Sequence, residues 1–298
     1  MPDHRVQIVE VSPRDGLQAE ARTLSTDTKL ELMDRLADAG HTAIEATSFV
    51  SPGAVPQLAD ADDLMKGLRR RPGVRYPVLV PNERGLERAL AAGADEIAVF
   101  VSASESYSRK NLRRGRDEAI ATALAVAATA KARGLRVRAY VSMVIADPDD
   151  GPTDPASVAE IGARFVAAGV DELSLGDTIG AGTAMHVRAL LAAHREATIP
   201  IERIAVHFHD TYGQGLANVL TAIELGVTVV DASIGGIGGS PFAERASGNL
   251  ATEDVVWMLD GMGIATGVDV RKLAETTKWM AGHLGRELPG RTARALFA

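Results

Sequence analysis

The chain has 298 residues, of which 46% are hydrophobic and 24% charged, as expected for a globular protein of one large or two small domains. A net charge of −7 argues against a nucleic-acid partner, and the longest largely apolar stretch, residues 119–130, is too short to span a membrane. The absence of cysteine excludes disulfides and thiolate sites and, with an N-terminus that does not resemble a signal sequence, predicts a cytoplasmic protein.

Strand-like and helix-like segments alternate along the whole chain. Eight runs rich in Val, Ile and Leu predict parallel strands buried on both faces, at residues 6–11, 43–49, 75–80, 96–101, 136–145, 172–175, 203–209 and 227–233. Between and beside them, six segments predict helices, at residues 27–39, 83–92, 117–133, 154–168, 183–197 and 212–225. Glycines at 40, 93, 169 and 226 follow four of these helices, as C-terminal capping glycines do, and Thr26-Asp27 and Asp154-Pro155 are typical N-terminal caps.

This alternation predicts an α/β protein with the (β/α)8 TIM-barrel fold. Eight βα units in about 250 residues without an internal linker are the number that one barrel requires. We expect the catalytic barrel to occupy residues 1–268, and residues 269–298 to form a helical extension of the same domain that caps the barrel or meets a second subunit. A doubly wound sheet is the alternative, but it would need a glycine-rich first turn, which residues 11–16 do not provide.

The motif His207-Phe208-His209-Asp210 closes the seventh predicted strand. Side chains alternate between the two faces of a strand, so His207 and His209 point the same way, about 6–7 Å apart. Two imidazoles at this spacing can bind one metal ion. The alternative, a pair that only caps a hydrogen-bond network, is less consistent with the acid that follows directly.

In a TIM barrel the C-terminal ends of all strands surround one site. The polar residues at these ends are Arg14, Asp15, Glu45, Ser48, Tyr140, Ser142, Asp177, Thr178, His207, His209 and Asn249. Four of them, Asp15, His207, His209 and Asn249, form an oxygen and nitrogen donor set without thiolate. Such a set favours one Mg²⁺ or Mn²⁺, with Zn²⁺ or Co²⁺ as substitutes, and the ion would act as a Lewis acid on a substrate hydroxyl or carbonyl.

The remaining charged residues at the strand ends have several possible roles. Arg14 stands beside the predicted metal carboxylate and could stabilise an enolate or carbonyl oxygen, or simply pair with Glu45 or Asp177. Glu45 and Asp177 are candidates for a general base or for orienting metal ligands. After the last strand, the loop Gly235-Gly236-Ile237-Gly238-Gly239-Ser240 is either an ordered turn that binds phosphate or a mobile lid.

Five segments together resemble the 3-hydroxy-3-methylglutaryl-CoA (HMG-CoA) lyase family, within the wider group of metal-dependent barrel lyases and synthases. They are VEVSPRDGLQAE at 9–20, IEATSFVSPGAVPQLADADDL at 44–64, LSLGDTIG at 173–180, HFHDTYGQGLANVLTAIELGV at 207–227 and the long segment at 229–269. The resemblance implies cleavage of a 3-hydroxyacyl-CoA to acetyl-CoA and a ketoacid such as acetoacetate. It also implies Asp15, His207, His209 and Asn249 as metal ligands, Arg14 at the thioester carbonyl, and a small-molecule acyl-CoA partner in a homo-oligomer, dimer or tetramer.

Three positions depart from the family pattern: Met143 and Asp147 stand where cysteines are usual, and Ser240 is the departure that bears on activity. The glycine-rich loop of these lyases continues with a cysteine, where this chain has Ser240. A serine hydroxyl is a weaker acid than a thiol, so we expect weak turnover of HMG-CoA unless His207 or a bound water delivers the proton. Two alternatives remain: a synthase that condenses an acyl-CoA with a 2-ketoacid, and a non-catalytic protein that binds metal or acyl-CoA.

Overall fold

The computed structural model describes residues 5–239 and 248–297, and it is built around a sheet of eight parallel strands. In chain order these are β1 Gln7–Glu10, β2 Thr47–Ser48, β3 Val78–Leu79, β4 Glu96–Ser102, β5 Arg136–Ser142, β6 Glu172–Asp177, β7 Ile204–Phe208 and β8 Val229–Ala232. From β2 to β8 each strand pairs with the next, and β8 pairs with β1. A parallel bridge from Glu10 to Ile44 joins β1 to the segment that leads into β2, so the sheet closes. The predicted TIM barrel is confirmed, and the doubly wound alternative is wrong.

Eleven α-helices lie in the described part of the chain. They are α1 Thr26–Asp38, α2 Ala61–Gly67, α3 Glu83–Ala91, α4 Glu105–Leu112, α5 Arg116–Ala132, α6 Pro155–Ala167, α7 Ala184–Glu196, α8 Gly215–Glu224, α9 Thr252–Gly261, α10 Val270–Leu284 and α11 Arg291–Leu296. The six predicted helices are present, whereas α2, α4 and α9 were not predicted individually. The four predicted capping glycines have positive φ, and Asp154 caps α6 as expected, but Ser25 rather than Thr26 caps α1. Among these helices, none combines the length and apolar character needed to cross a membrane.

Two strands retain only two residues each of the six or seven that the sequence predicted. Residues 43–49 and 75–80 do run side by side, but the regular ladder between them contains only Thr47–Ser48 and Val78–Leu79. A separate bridge pairs Ala43 with Arg75. Pro77 lies between this bridge and the ladder; its carbonyl accepts the Ala46 N–H, but a proline has no N–H to donate. The pairing is therefore interrupted on this side of the barrel.

A small apolar layer inside the barrel lies next to the charged C-terminal ends of the strands. Val9, Val11, Ala43, Ala205 and Val229 form a small apolar cluster, separate from the large core in which outward-facing residues such as Ile8 meet the helices. His207 and Asp231 come two residues after Ala205 and Val229, and therefore face the same interior one step nearer the C-terminal ends of the strands. The alternation of strand side chains thus brings charged groups to this end of the barrel.

The C-terminal residues form two helices packed outside the barrel. Helix α10 packs against α1 and α9, and α11 packs against α9 and α10. Asp254 of α9 accepts the backbone N–H groups of Arg291 and Thr292 at the start of α11, at 3.1 and 2.6 Å. The side chain of Arg291 also lies 3.0 Å from Asp210, next to the histidine pair. The extension therefore reaches the C-terminal end of the barrel; its proposed boundary at residue 269 stays a prediction.

Candidate active site

Three metal-binding side chains meet at the C-terminal end of the barrel. Asp15 lies in a π-helical turn, Ser12–Gly16, directly after β1, while His207 is in β7 and His209 follows it. One ligand atom from each of the three lies within 4.8 Å of the other two. The imidazole centroids are 5.5 Å apart, and His207 Nε2 is 3.8 Å from Asp15 Oδ2. The two histidines share a face, as the strand periodicity predicted, and the barrel brings Asp15 to them.

Asn249, the fourth predicted ligand, adjoins this cluster. Its side-chain Nδ2 donates to Asp15 Oδ2 at 2.8 Å and to the carbonyl of Ile237 at 3.2 Å, and an antiparallel bridge pairs its backbone with His209. Gly238 packs directly on this amide: its φ is +126°, and a Cβ there would lie only 2.3 Å from Asn249 Nδ2. Only glycine fits at position 238 without displacing Asn249.

Arg14 is held between two buried carboxylates. Its Nε donates to Glu45 Oε2 at 2.8 Å, its Nη2 lies 2.7 Å from the same oxygen, and its Nη1 donates to Asp15 Oδ1 at 2.6 Å. Burial alone would lower the pKa of Arg14, but the charges of Glu45 and Asp15 outweigh it and raise the pKa. Burial would raise the pKa of Asp15, but Arg14 and the histidines lower it overall. Of the two ion-pair partners considered for Arg14, the structure provides Glu45.

Glu45 lies behind Arg14. Besides Arg14, its Oε2 accepts the hydroxyl of Tyr140 at 3.1 Å, and burial raises the pKa of Glu45 although Arg14 opposes the shift. Its Oε1 is buried and has no hydrogen-bond partner within the described residues. The ring of Tyr140 also lies under the Arg14 guanidinium, 5.2 Å from centroid to Cζ. Glu45 is thus placed to orient Arg14.

The structure does not bring Asp177 into the cluster. Its two carboxylate oxygens accept the backbone N–H groups of Ala181 and Gly182, at 3.2 and 2.7 Å, in the turn after β6. Burial raises the pKa of Asp177, and these N–H groups counteract the shift. Only its backbone carbonyl reaches the histidine pair, accepting the His209 N–H at 3.3 Å. The side chain points away because positions 172, 174 and 176, not 177, face the barrel interior.

A cavity of about 1050 Å³ opens over the cluster. Arg14, Asp15, His207 and His209 line it, whereas Glu45 and Asp177 are not among its lining residues. Ser51 and Gly53 also line it, so the turn after the second strand lies at this mouth. A second group of lining residues, Lys110, Arg113 and Arg114, comes from α4 and the loop that follows it. The cavity therefore joins the cluster to a cationic region.

The chain and its fold are similar to those of known proteins. Residues 5–280 match the model of the HMGL-like family. The chain is 48% identical over 291 residues to the mitochondrial hydroxymethylglutaryl-CoA lyase of Macaca fascicularis, covering 98% of this chain and 89% of that protein. The HMG-CoA lyase structure from Bacillus subtilis superposes with a TM-score of 0.96 at 43% identity and full coverage of both chains. That of Acinetobacter baumannii, in complex with coenzyme A and 3-methylmalate, gives 0.94 at 34% identity, covering 99% of this chain and 96% of that one.

The chain belongs to the HMGL-like family. It is an enzyme of the lyase class, because its full-length relatives at nearly half identity are lyases. The resemblance that the five sequence segments indicated is therefore confirmed.

In this HMGL-like lyase, hydrogen bonds to two buried carboxylates hold the start of the glycine-rich loop in place. The N–H of Ile234 donates to Glu10 at 3.1 Å, and the N–H of Gly235 donates to both oxygens of Glu253 at 3.1 and 3.0 Å. Burial raises the pKa of Glu10 to about 7 and that of Glu253 to about 8. Ser240, the predicted lid residue, lies outside the described residues.

Sequence reasoning missed two charged residues beneath the cluster of this lyase. Asp231 in β8 is 3.2 Å from His207 Nδ1, and Arg138 in β5 pairs with Asp231. Burial would raise the pKa of Asp231, but Arg138 and His207 lower it overall. Arg138 lies between buried Val137 and Ala139, and Asp231 lies between buried Val230 and Ala232. That pattern was the available signal, because a charge flanked by buried residues needs a partner inside the barrel.

Proposed function

We propose that this protein is a divalent-metal-dependent carbon–carbon lyase that cleaves HMG-CoA, or a related 3-hydroxyacyl-CoA, to acetyl-CoA and a ketoacid, which is acetoacetate for HMG-CoA. The proposal depends on one observation: Asp15, His207 and His209 lie together and line the same cavity as Arg14. HMG-CoA lyases that match over nearly the whole chain support the substrate class.

The donor set fits a divalent cation. A carboxylate and two imidazoles without thiolate suit Mg²⁺ or Mn²⁺, and the amide of Asn249 adjoins them as a fourth candidate. His207 Nδ1 is engaged by Asp231, which leaves Nε2 facing Asp15. A cation held there would supply Lewis-acid polarisation of substrate oxygens. Which cation the protein uses is part of the proposal.

Arg14 has hydrogen-bond capacity left for the substrate. A guanidinium carries five N–H groups, and Glu45 and Asp15 engage one each on Nε, Nη1 and Nη2. Arg14 lines the cavity, so the remaining N–H groups can reach a substrate carbonyl. When the bond between C2 and C3 of HMG-CoA breaks, its electrons pass to the thioester as an enolate. We propose that Arg14 stabilises the negative oxygen of that enolate.

The proton movements need groups that line the cavity. Loss of the proton from the C3 hydroxyl starts the cleavage, and a proton added to the enolate carbon completes acetyl-CoA. Asp15 lines the cavity 3.8 Å from His207 Nε2, the nitrogen that would bind the cation, so we assign the hydroxyl proton to the carboxylate of Asp15. Glu45 then acts by orienting Arg14, and Asp177 by holding the turn that follows β6. Ser240 stays the candidate for the second proton.

The cationic region of the cavity is suited to the phosphates of an acyl-CoA. Arg113 is exposed, and Lys110 pairs with Asp149 at the rim. The coenzyme A that the Acinetobacter baumannii relative binds supports this substrate class. A homo-oligomer and a cytoplasmic location stay predictions, which light scattering and cell fractionation would test.

The test is direct turnover by the purified protein. After removal of metal with EDTA, the protein is supplied with Mg²⁺ or Mn²⁺ and a panel of 3-hydroxyacyl-CoAs, and the release of acetyl-CoA is followed. We expect release from at least one 3-hydroxyacyl-CoA, dependent on the added cation. Incorporation of acetyl-CoA into a 2-ketoacid without any cleavage would favour the synthase. Binding of acyl-CoA without turnover of any kind would contradict the proposed activity.

A further inference from the structure

His207 has a buried carboxylate behind it, on the side away from Asp15. Asp231 Oδ2 is 3.2 Å from His207 Nδ1, and the same oxygen accepts the hydroxyl of Ser174 at 3.0 Å. The other oxygen, Oδ1, pairs with Nη2 of Arg138. Asp231 is almost fully buried and does not line the cavity, so it cannot touch a substrate.

We propose that Asp231 is a positioning residue that fixes the ring orientation and the tautomer of His207. A carboxylate paired with arginine can only accept at its oxygens, so the ring must carry its proton on Nδ1. The lone pair of the neutral ring is then on Nε2, 3.8 Å from Asp15 Oδ2. This inference rests on the proposed divalent cation, for which Nε2 would be the ligand atom.

Arg138 connects this arrangement to the opposite side of the site. Its Nη1 donates to the hydroxyl of Tyr140 at 2.9 Å, and that hydroxyl donates to Glu45 at 3.1 Å. Glu45 in turn holds Arg14, which holds Asp15. The contacts form a closed ring through Arg138, Asp231, His207, Asp15, Arg14, Glu45 and Tyr140. Two of the proposed ligands, one from β7 and one from the turn after β1, are thus held by one buried network.

A purely structural role for Asp231, as a counter-charge to Arg138, predicts different behaviour. Glu172 provides the matched control, because its Oε1 is 2.7 Å from Nε of the same Arg138 and it is also buried. Its other contact is Arg136, at 3.2 Å, on the side away from the cluster. Asp231→Asn and Glu172→Gln therefore remove the same kind of charge from the same arginine, but only Asp231 contacts His207.

The experiment is a titration of metal-free protein with Mn²⁺, with free Mn²⁺ measured by electron paramagnetic resonance. Partners behind a metal-binding histidine typically contribute about 10–100-fold to metal affinity, so we expect Asp231→Asn to raise the Kd for Mn²⁺ by that factor. Glu172→Gln should lower thermal stability and keep the wild-type Kd. An unchanged Kd in Asp231→Asn, or equal increases in both variants, would overturn the proposal.

A second measurement needs neither metal nor a variant. Long-range ¹H–¹⁵N correlation spectra of metal-free wild type, at alkaline pH where the ring is neutral, report the tautomer of His207 directly. We expect the Nδ1–H form, and the Nε2–H form would overturn the assignment even if Asp231→Asn did not fold. If wild type showed the Nδ1–H form but bound no Mn²⁺, the proposed metal dependence would fail and the role of Asp231 in orienting the ring would stand.

Discussion

Arg14→Lys separates charge from geometry at the active site. Lysine keeps the positive charge between Asp15 and Glu45 but replaces the planar fork with one ammonium group. In wild type, Nε and Nη2 hold Glu45 while Nη1 holds Asp15, and N–H groups remain on the cavity side. A lysine that bridges the two carboxylates has no such group fixed towards the substrate.

The expected losses differ for catalysis and for stability. Removing one donor to a developing oxyanion typically lowers kcat by about 10²–10³-fold, or about 3–4 kcal/mol. Stability should fall by about 1.5–3 kcal/mol, the contribution of one hydrogen bond to a charged group. Arg14→Met would be less informative, because two buried carboxylates would lose their counter-charge at a cost of about 3–5 kcal/mol.

The assay is steady-state kinetics on HMG-CoA with saturating Mn²⁺, alongside thermal unfolding. Arg75→Lys is the matched control, since Arg75 pairs with Glu96 at 2.5 Å at the opposite end of the barrel. We expect Arg75→Lys to keep kcat and KM, whereas Arg14→Lys should lose kcat with a smaller change in KM. A raised KM with wild-type kcat in Arg14→Lys would refute the enolate role, because it would mean that Arg14 contributes only to binding.

Three further predictions concern the metal, the loop and pH. His209→Ala should raise the Kd for Mn²⁺ sharply, since one of the proposed ligands is lost; an unchanged Kd, measured by isothermal titration, would remove His209 from the set. Ser240→Cys should raise kcat on HMG-CoA if this position delivers a proton; equal rates for wild type, Ser240→Cys and Ser240→Ala would show that it delivers none. The pKa of Glu253 is raised from 4.5 to about 8, so this carboxyl group holds its proton more tightly in the folded state than in the unfolded state. The free energy of unfolding is therefore highest below pH 4.5 and falls as the pH rises towards 8. Glu253→Gln should therefore gain stability relative to wild type across that range, by up to about 1.4 kcal/mol per pH unit in urea unfolding; a constant difference would show that Glu253 does not titrate there.

The sequence determined those features that depend on local periodicity. The alternation of apolar strands with helices indicated the number of βα units. Glycines indicated the helix ends, because a helix that ends before the next strand needs a residue with positive φ there, as at Gly169. His207 and His209 share a face because the strand repeat is two residues. Asp15 could be assigned to the site because it comes directly after β1 and barrel chemistry lies at the C-terminal strand ends.

Tertiary structure alone decided which charged residues meet. Glu45 and Asp177 looked equivalent in sequence, yet Glu45 faces the barrel interior and binds Arg14, while Asp177 faces outward and binds the turn at residues 181–182. Pairings across the barrel, such as Arg138 with Asp231, join residues 93 positions apart in the chain. No periodic pattern in the sequence indicates them. Local patterns fix which face of a strand a residue is on, but only the closed barrel fixes which faces point inward and which side chains lie opposite one another.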